Sequence, residues 1–502
     1  MTRQGAARTA HHRHPPSMAV ARQDSLNPLL QGMMIVMSIL LVWLLSALFT
    51  SPFWSIVSLV NFLWLGLFLF RVAPIATILM LPFLVTRSSA VVALIFIEFG
   101  ADMPEVAAVG TAGTHTASYV FYTAIMFGVC AMLFDLVYRS TKLSQSGQLT
   151  RLFDSWATLI VSGIIAVVGL VMLVLIVRGL ISGFPLLAGI DRFAFRRFAA
   201  DPITLNALNY KFIIAYMLGF AVFCVPVARF LKTIAAVQAA LLVVLYFLFA
   251  DKFFTQLAAM SAFFAPYLII HRERVSRNLL GFGVGSLMAF SVVSSVTWWI
   301  YSQGGTISNA ATVDRLSGRI VGQGQLWYLQ SQVGAPLFNW DRHLVNTSLS
   351  ALTVKEMEPF AQRQSIGPAY FSNKYAPDAL RASLDRNFGT VSYTMAAEAL
   401  GLVAFGWIGL GLLMVACGLI IAAGNLLIAR AVLQRLPISV GFAAYILVQT
   451  QVTLNQGAPW VLFSIFSLKW LSVIAFVEFL LIILVMSQRD PAPRYRRVQR
   501  RR

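Results

Sequence analysis

Charge is scarce in this chain, and negative charge is scarcest. Of 502 residues only 19 are Asp or Glu, against 38 Lys or Arg. Charged residues make up 11% and apolar ones 59%, whereas soluble globular chains carry about 25% charged residues. This excludes a soluble globular protein and leaves a polytopic membrane protein. Cysteine is also rare. Cys130, Cys224 and Cys417 all sit in apolar runs, which excludes a loop disulfide framework and a cysteine metal site. No Gly-Lys-Ser/Thr closes a glycine-rich loop, so there is no P-loop. GFGVG at 281–285 and GWIGLG at 406–411 lie inside apolar runs and read as small residues that let helices pack closely. No internal repeat is visible, which argues against an inverted-repeat transporter.

The net charge of +19 does not gather into one patch. It is spread over loops and both tails, as membrane topology signals are, so nucleic acid is not an expected partner. HHRHPP at 11–16 carries metal-binding side chains but reads as part of a disordered basic tail. Neither a metal nor a cofactor is expected.

What the chain does have is apolar runs of membrane-spanning length, roughly 20 residues each. They fall near 33–50, 52–70, 76–99, 117–138, 155–177, 210–228, 233–250, 253–270, 279–301, 397–428, 437–455 and 460–487. The expected fold is an all-α polytopic membrane protein with about twelve transmembrane helices and a large helical loop. With the N-terminal tail inside, every short inner segment is basic, from Arg139, Lys142 and Arg151 to the arginines after 488. The first outer loop, GADMPEVAAVGTAGTH, has no Lys or Arg and holds Asp102 and Glu105. Both termini are therefore expected in the cytoplasm. The division that follows is a basic tail at 1–30, nine spans over 31–301, a large outer loop at 302–393, three spans over 394–487 and a basic tail at 488–502.

Two outer segments break the sorting of positive charge. One, within 178–208 and its flank, carries Arg178, Arg192, Arg196, Arg197 and Lys211. The other is the large loop, with Arg315 and Arg319 among its cations. An anionic ligand explains their placement, since the planar guanidinium fork suits phosphate or carboxylate. If that segment is helical, Arg192 and Arg196 share a face and Arg197 lies beside it. They read either as a clamp for pyrophosphate or an acidic sugar, or as an interfacial helix with Phe193, Phe195 and Phe198 in lipid. After Arg319, Gln323, Gln325 and Trp327 offer amides and an apolar platform of the kind that meets sugars. The other reading of that stretch is a loop helix docked on the bundle.

His343 beside Arg342 and Asp341 is a candidate acid–base group, because histidine titrates near neutrality. Its alternative is a structural loop histidine. Glu398 lies inside an apolar run, where a carboxylate is expensive and faces a cavity or a partner. It reads as a base for an acceptor hydroxyl or as the partner of an arginine. Arg87, Lys469 and Glu478 also lie in apolar runs as interior partners or cavity lining.

The layout of about twelve spans with one medium and one large arginine-bearing loop resembles the bacterial O-antigen or oligosaccharide repeat-unit polymerases (the Wzy type). PLLAGIDRFAFRR at 185–197, LNALNYKF at 205–212 and RLSGRIVGQGQLW at 315–327 are similar to segments of their periplasmic loops. The resemblance implies polymerisation of undecaprenyl-diphosphate-linked oligosaccharide units for O-antigen, capsule or exopolysaccharide. The reaction takes place at the periplasmic face of the bacterial inner membrane, with lipid pyrophosphate as leaving group and no metal. It also implies a chain-length regulator protein as a possible partner. Arg192, Arg196, Arg197, Arg315 and Arg319 would hold the pyrophosphate, and Glu398 or His343 would take the proton of the attacking hydroxyl. Two other readings remain. An O-antigen ligase-type transferase shares the leaving group, and TMAAEALGLVAFGWIGL at 394–410 is similar to the ligases' post-loop segment. A lipid-linked glycan transporter or flippase would need no chemistry.

Overall fold

The computed structural model describes residues 18–140, 157–188, 195, 201–249, 253–271, 317–318, 320–342, 345, 367–378, 381 and 396–456, with scattered positions between 472 and 483. The described chain is almost wholly helical. In order it forms α1 (Met18–Leu48), α2 (Phe53–Val72), α3 (Pro74–Glu98), β1 (Asp102–Met103), β2 (Ala108–Val109) and α4 (His115–Ser140). It continues through α5 (Ala157–Ser182), α6 (Pro202–Asn209), α7 (Lys211–Phe223), α8 (Arg229–Leu248) and α9 (Phe253–Ile270). Then come α10 (Gln325–Val333), α11 (Gly367–Tyr375), α12 (Ala396–Leu433) and α13 (Pro437–Gln456). Among the described residues, seven helices are long and apolar enough to cross a bilayer: Leu30–Leu48 of α1, α2, α3, α4, α5, α8 and Ala397–Leu433 of α12.

These seven coincide with seven of the expected spans. The apolar stretches of α7, α9 and α13 fall where three more were expected but are shorter: Lys211–Phe223, Ala259–Ile270 and Ser439–Thr450. The expected span at 279–301 lies outside the described residues, as does most of 460–487.

Prolines set several boundaries. Pro74 and Pro202 occupy first-turn positions of α3 and α6, where the missing N–H costs nothing. Asp201 caps α6, its carboxylate accepting from Ile203 and Thr204 N–H, each at 2.9 Å. β1 and β2 form a small antiparallel hairpin between α3 and α4, with Asp102 opposite Val109. α12 packs chiefly on α4 and α13, and α3 joins them together with α2 and α9. Gly418 lets α12 approach α4 closely, since a Cβ there would stand 2.5 Å from the Met126 carbonyl oxygen.

The run expected as one span over 397–428 is not one straight helix. Gly406 has φ +71° and ψ −172°, a conformation open essentially to glycine alone. A Cβ on Gly401 would lie 2.6 Å from the Leu413 side chain, although twelve residues of straight helix span about 18 Å. The helix therefore folds back on itself at Gly406. The second arm runs alongside α4, with Gly411 near Tyr122 and Asn425 bonded to Cys130. The first arm carries Glu398 back into the bundle.

The turn has its own cover. Asn339 N–H donates to the Phe405 carbonyl at 3.0 Å, and Asp341 N–H to that of Ala404 at 3.0 Å. Trp407 and Ile408 N–H donate to the Pro336 and Leu337 carbonyls at 3.2 and 2.8 Å. The Asn339 side-chain amide adds a bond to the Val403 carbonyl at 2.8 Å. Backbone groups released by the break thus find partners in residues 336–341, as buried peptide groups require.

Candidate functional site

The site is built around α10, a nine-residue helix from the large loop. A helix this short is not stable alone in water, so packing must hold it. Its sequence QLWYLQSQV has no fully solvated face: Gln325, Leu326, Trp327, Tyr328, Leu329 and Gln330 are all buried. It lies against the end of α3, the start of α4 and α12. Gly324 permits this approach, since a Cβ there would come within about 3 Å of Ala93 and Leu94.

Polar groups fix α10 to the α3–α4 connection. The Trp327 indole N–H donates to the His115 carbonyl at 2.7 Å. The Tyr328 hydroxyl accepts from Thr111 N–H at 2.9 Å and lies 2.8 Å from the Thr111 hydroxyl. The Gln325 amide donates to Glu105 Oε2 at 2.7 Å. His115 Nδ1 and Ser331 Oγ are 2.7 Å apart. Ser331 Oγ also lies within donating distance of the Trp327 carbonyl, at 2.7 Å, and of the Tyr328 carbonyl, at 3.1 Å. These contacts brace α10 against the start of α4. Glu98 completes the seam: its Oε1 accepts from Thr116 N–H at 2.7 Å and from the Thr116 hydroxyl at 3.0 Å. A carboxylate here satisfies orphan amides at the start of α4 and meets the positive end of its dipole.

Below this seam lies an aromatic layer. Trp327 meets Tyr119 edge-on at 5.6 Å and Trp407 at 6.0 Å, while Tyr122 stacks on Trp407 at 5.9 Å. Such pairs add stability beyond area burial. Deeper still, Arg87 Nε of α3 meets Glu398 Oε1 of α12 at 2.8 Å, both side chains fully buried. The second oxygen, Glu398 Oε2, has no hydrogen-bond partner among the described residues, and neither does the nearby Tyr119 hydroxyl.

On the loop side, α11 supplies a cation. Lys374 Nζ lies 3.2 Å from Gln330 Oε1 and over the rings of Tyr370 and Tyr375, 5.7 and 5.1 Å from their centroids. Tyr375 also donates to Gln330 Oε1 at 2.9 Å. Partial burial lowers the Lys374 ammonium from its ordinary range. Burial, with Tyr370 alongside, pushes Tyr375 up to about 12. Tyr370 is raised by burial first and by Asp341 second.

The expected site residues separate into four groups. Glu398 is placed, and its partner is Arg87. Gln325 and Trp327 are placed but face inward: Trp327 is 2% exposed, and both spend their donors inside the protein. Residues 325–330 of that stretch are docked on the bundle. Gln323 lies in the turn before α10, partly buried. Arg192, Arg196, Arg197, Arg315, Arg319 and His343 lie outside the described residues, as do Lys469 and Glu478. Two cations of the medium loop are engaged locally. Arg178 pairs with Asp201 at 2.7 Å, and Lys211 is buried over the faces of Phe212 and Tyr246.

Sequence reasoning passed over Glu98, Thr111, His115 and Tyr328. The available signal was an acid and a histidine bracketing a short loop without Lys or Arg. Among the described residues no three His, Cys, Asp or Glu side chains gather as metal ligands would.

Residues 363–473 match the model of a family of unknown function (DUF6418). This stretch takes in α11, the folded-back α12 and the whole of α13, and hence both Glu398 and Gly406. No curated protein and no solved structure matches the chain.

Proposed function

We propose that this protein is a membrane glycosyltransferase. In this reading it polymerises undecaprenyl-diphosphate-linked oligosaccharide repeat units at the periplasmic face of the bacterial inner membrane. The observation that carries the reading is the insertion of α10 into one end of the bundle. The large loop packs a helix between α3, α4 and α12, just above the buried Arg87–Glu398 pair. A loop so seated can hold a lipid-linked head group next to membrane-embedded residues.

Each part of the chemistry then has an owner. Arg192, Arg196, Arg197, Arg315 and Arg319 stabilise charge developing on the leaving pyrophosphate. Glu398, with His343 as the alternative, accepts the proton of the attacking sugar hydroxyl. Arg87 occupies one Glu398 oxygen and leaves the other for that hydroxyl. Gln323 remains a candidate sugar contact. Gln325 and Trp327 act one step removed, by positioning α10.

The test is reconstitution. Purified protein in liposomes containing only lipid-linked repeat units should yield polymer, and Arg192→Ala and Arg319→Ala should each leave single repeats. Product that forms only with a lipid A core acceptor would favour the ligase-type transferase. The transporter reading is favoured by one observation, the charged pair deep in the bundle beside a broken helix. It predicts movement of intact lipid-linked units across the liposome with no new glycosidic bond.

A further inference from the structure

Residues 333–340 leave α10 and run past the fold of α12 with their apolar side chains turned outward. Leu337 is 71% exposed, Phe338 62% and Trp340 55%, with Val333 also exposed. Three large apolar groups within four residues, held open to water, would be costly, and contiguous apolar surface of this kind marks an interaction site. Nor is the segment a slack loop. Its carbonyls at 336 and 337 and its amides at 339 and 341 are bonded to residues 404–408, and Trp340 packs on Phe405 at 5.5 Å.

We infer that this segment is a strap set into the lipid leaflet at its end of the bundle, with acyl chains around Leu337 and Phe338 and headgroups around Arg342. The strap is continuous with a membrane-facing helix surface. Ile408 donates its N–H to Leu337, and Ile408 and Leu412 are exposed one turn apart on the membrane-spanning arm of α12. The strap's apolar face therefore extends a surface that lies in lipid by virtue of its helix. Irregular backbone is tolerated near the bilayer where its polar groups are bonded to protein. Trp340 is a residue type enriched at the membrane interface. Exposed Arg342 follows after Asp341 and suits lipid phosphates. The inference is independent of the glycan reading, because it concerns what surrounds the strap and not what the protein transfers.

The test uses the full chain in liposomes of phosphatidylethanolamine and phosphatidylglycerol. Phe338→Cys and Arg342→Cys are each labelled with a small fluorophore; the three native cysteines are buried. At 338 we expect strong quenching by lipids carrying a nitroxide near the headgroup, and iodide quenching at least tenfold weaker than at 342. Iodide quenching at 338 equal to that at 342 would place the strap in water and overturn the inference. Protection from both quenchers would indicate a protein partner, a second copy included, and would overturn it equally.

Discussion

Arg87 and Glu398 are 311 residues apart in sequence and 2.8 Å apart in the bundle, with no exposed surface on either side chain. The pair ties α3 to the first arm of α12. Removing one member of such a pair leaves an uncompensated buried charge, at a cost of about 3–5 kcal/mol. Glu398→Ala should therefore lower the unfolding midpoint sharply in detergent. Arg87→Met combined with Glu398→Leu should cost well below the sum of the single changes. A folded double variant without the proposed glycan transfer would separate a catalytic role for the pair from a structural one.

Gly406 makes the next prediction. Its φ of +71° disfavours any side chain, and a Cβ would stand 2.5 Å from the Pro336 carbonyl oxygen. Gly406→Ala should destabilise by about 1–3 kcal/mol and should loosen the strap together with the turn. Limited proteolysis at 333–341 reads this directly. Cleavage unchanged from the parent protein would mean that the turn accepts the methyl group.

Trp327 can be dissected in two steps. Trp327→Phe keeps a ring in the aromatic layer but loses the bond to the His115 carbonyl, for about 1 kcal/mol. Trp327→Ala also removes the packing, for about 3–5 kcal/mol, and should release α10. Hydrogen exchange at the Tyr328 and Leu329 amides should rise modestly in the first variant and strongly in the second.

Asp201 gives a pH dependence. Its carboxyl is held below the usual range by hydrogen bonds from Thr204 first and also by Arg178. A depressed carboxylate stabilises the fold above its unfolded value of about 3.9. That contribution is lost as pH falls through the lower folded value. Acidification should thus fray α6, as read from exchange at Ile203 and Thr204. Asp201→Asn should keep the cap and flatten this acid response, while Asp201→Ala should fray the helix at neutral pH as well.

The membrane helices were legible because a 20-residue apolar run is a property of composition, readable without any partner. The fold of α12 was not, since GLVAFGWIGLGLLMVACGLIIAAGN is apolar on both sides of Gly406 and reads as one run. Its length was the available clue: 38 residues of straight helix measure about 57 Å, against a hydrocarbon core of about 30 Å. Glu398 could be singled out from its cost in lipid, but pairing it with Arg87 needed the tertiary fold. The inward turn of Gln325 and Trp327 was hidden for a similar reason. Amides and indoles serve sugars and protein carbonyls equally well, and only the packing around α10 decides between them.

The separation of Arg87 from Glu398 along the chain also sets a timetable for biogenesis. At about 5–20 residues per second, ribosomes need roughly 15–60 s to extend the chain by the 311 positions from Arg87 to Glu398. Throughout that interval the nascent α3 carries a guanidinium into the bilayer before its carboxylate exists. Until the late arm arrives, the guanidinium depends on the earlier-made groups around it, Tyr119 of α4 among them.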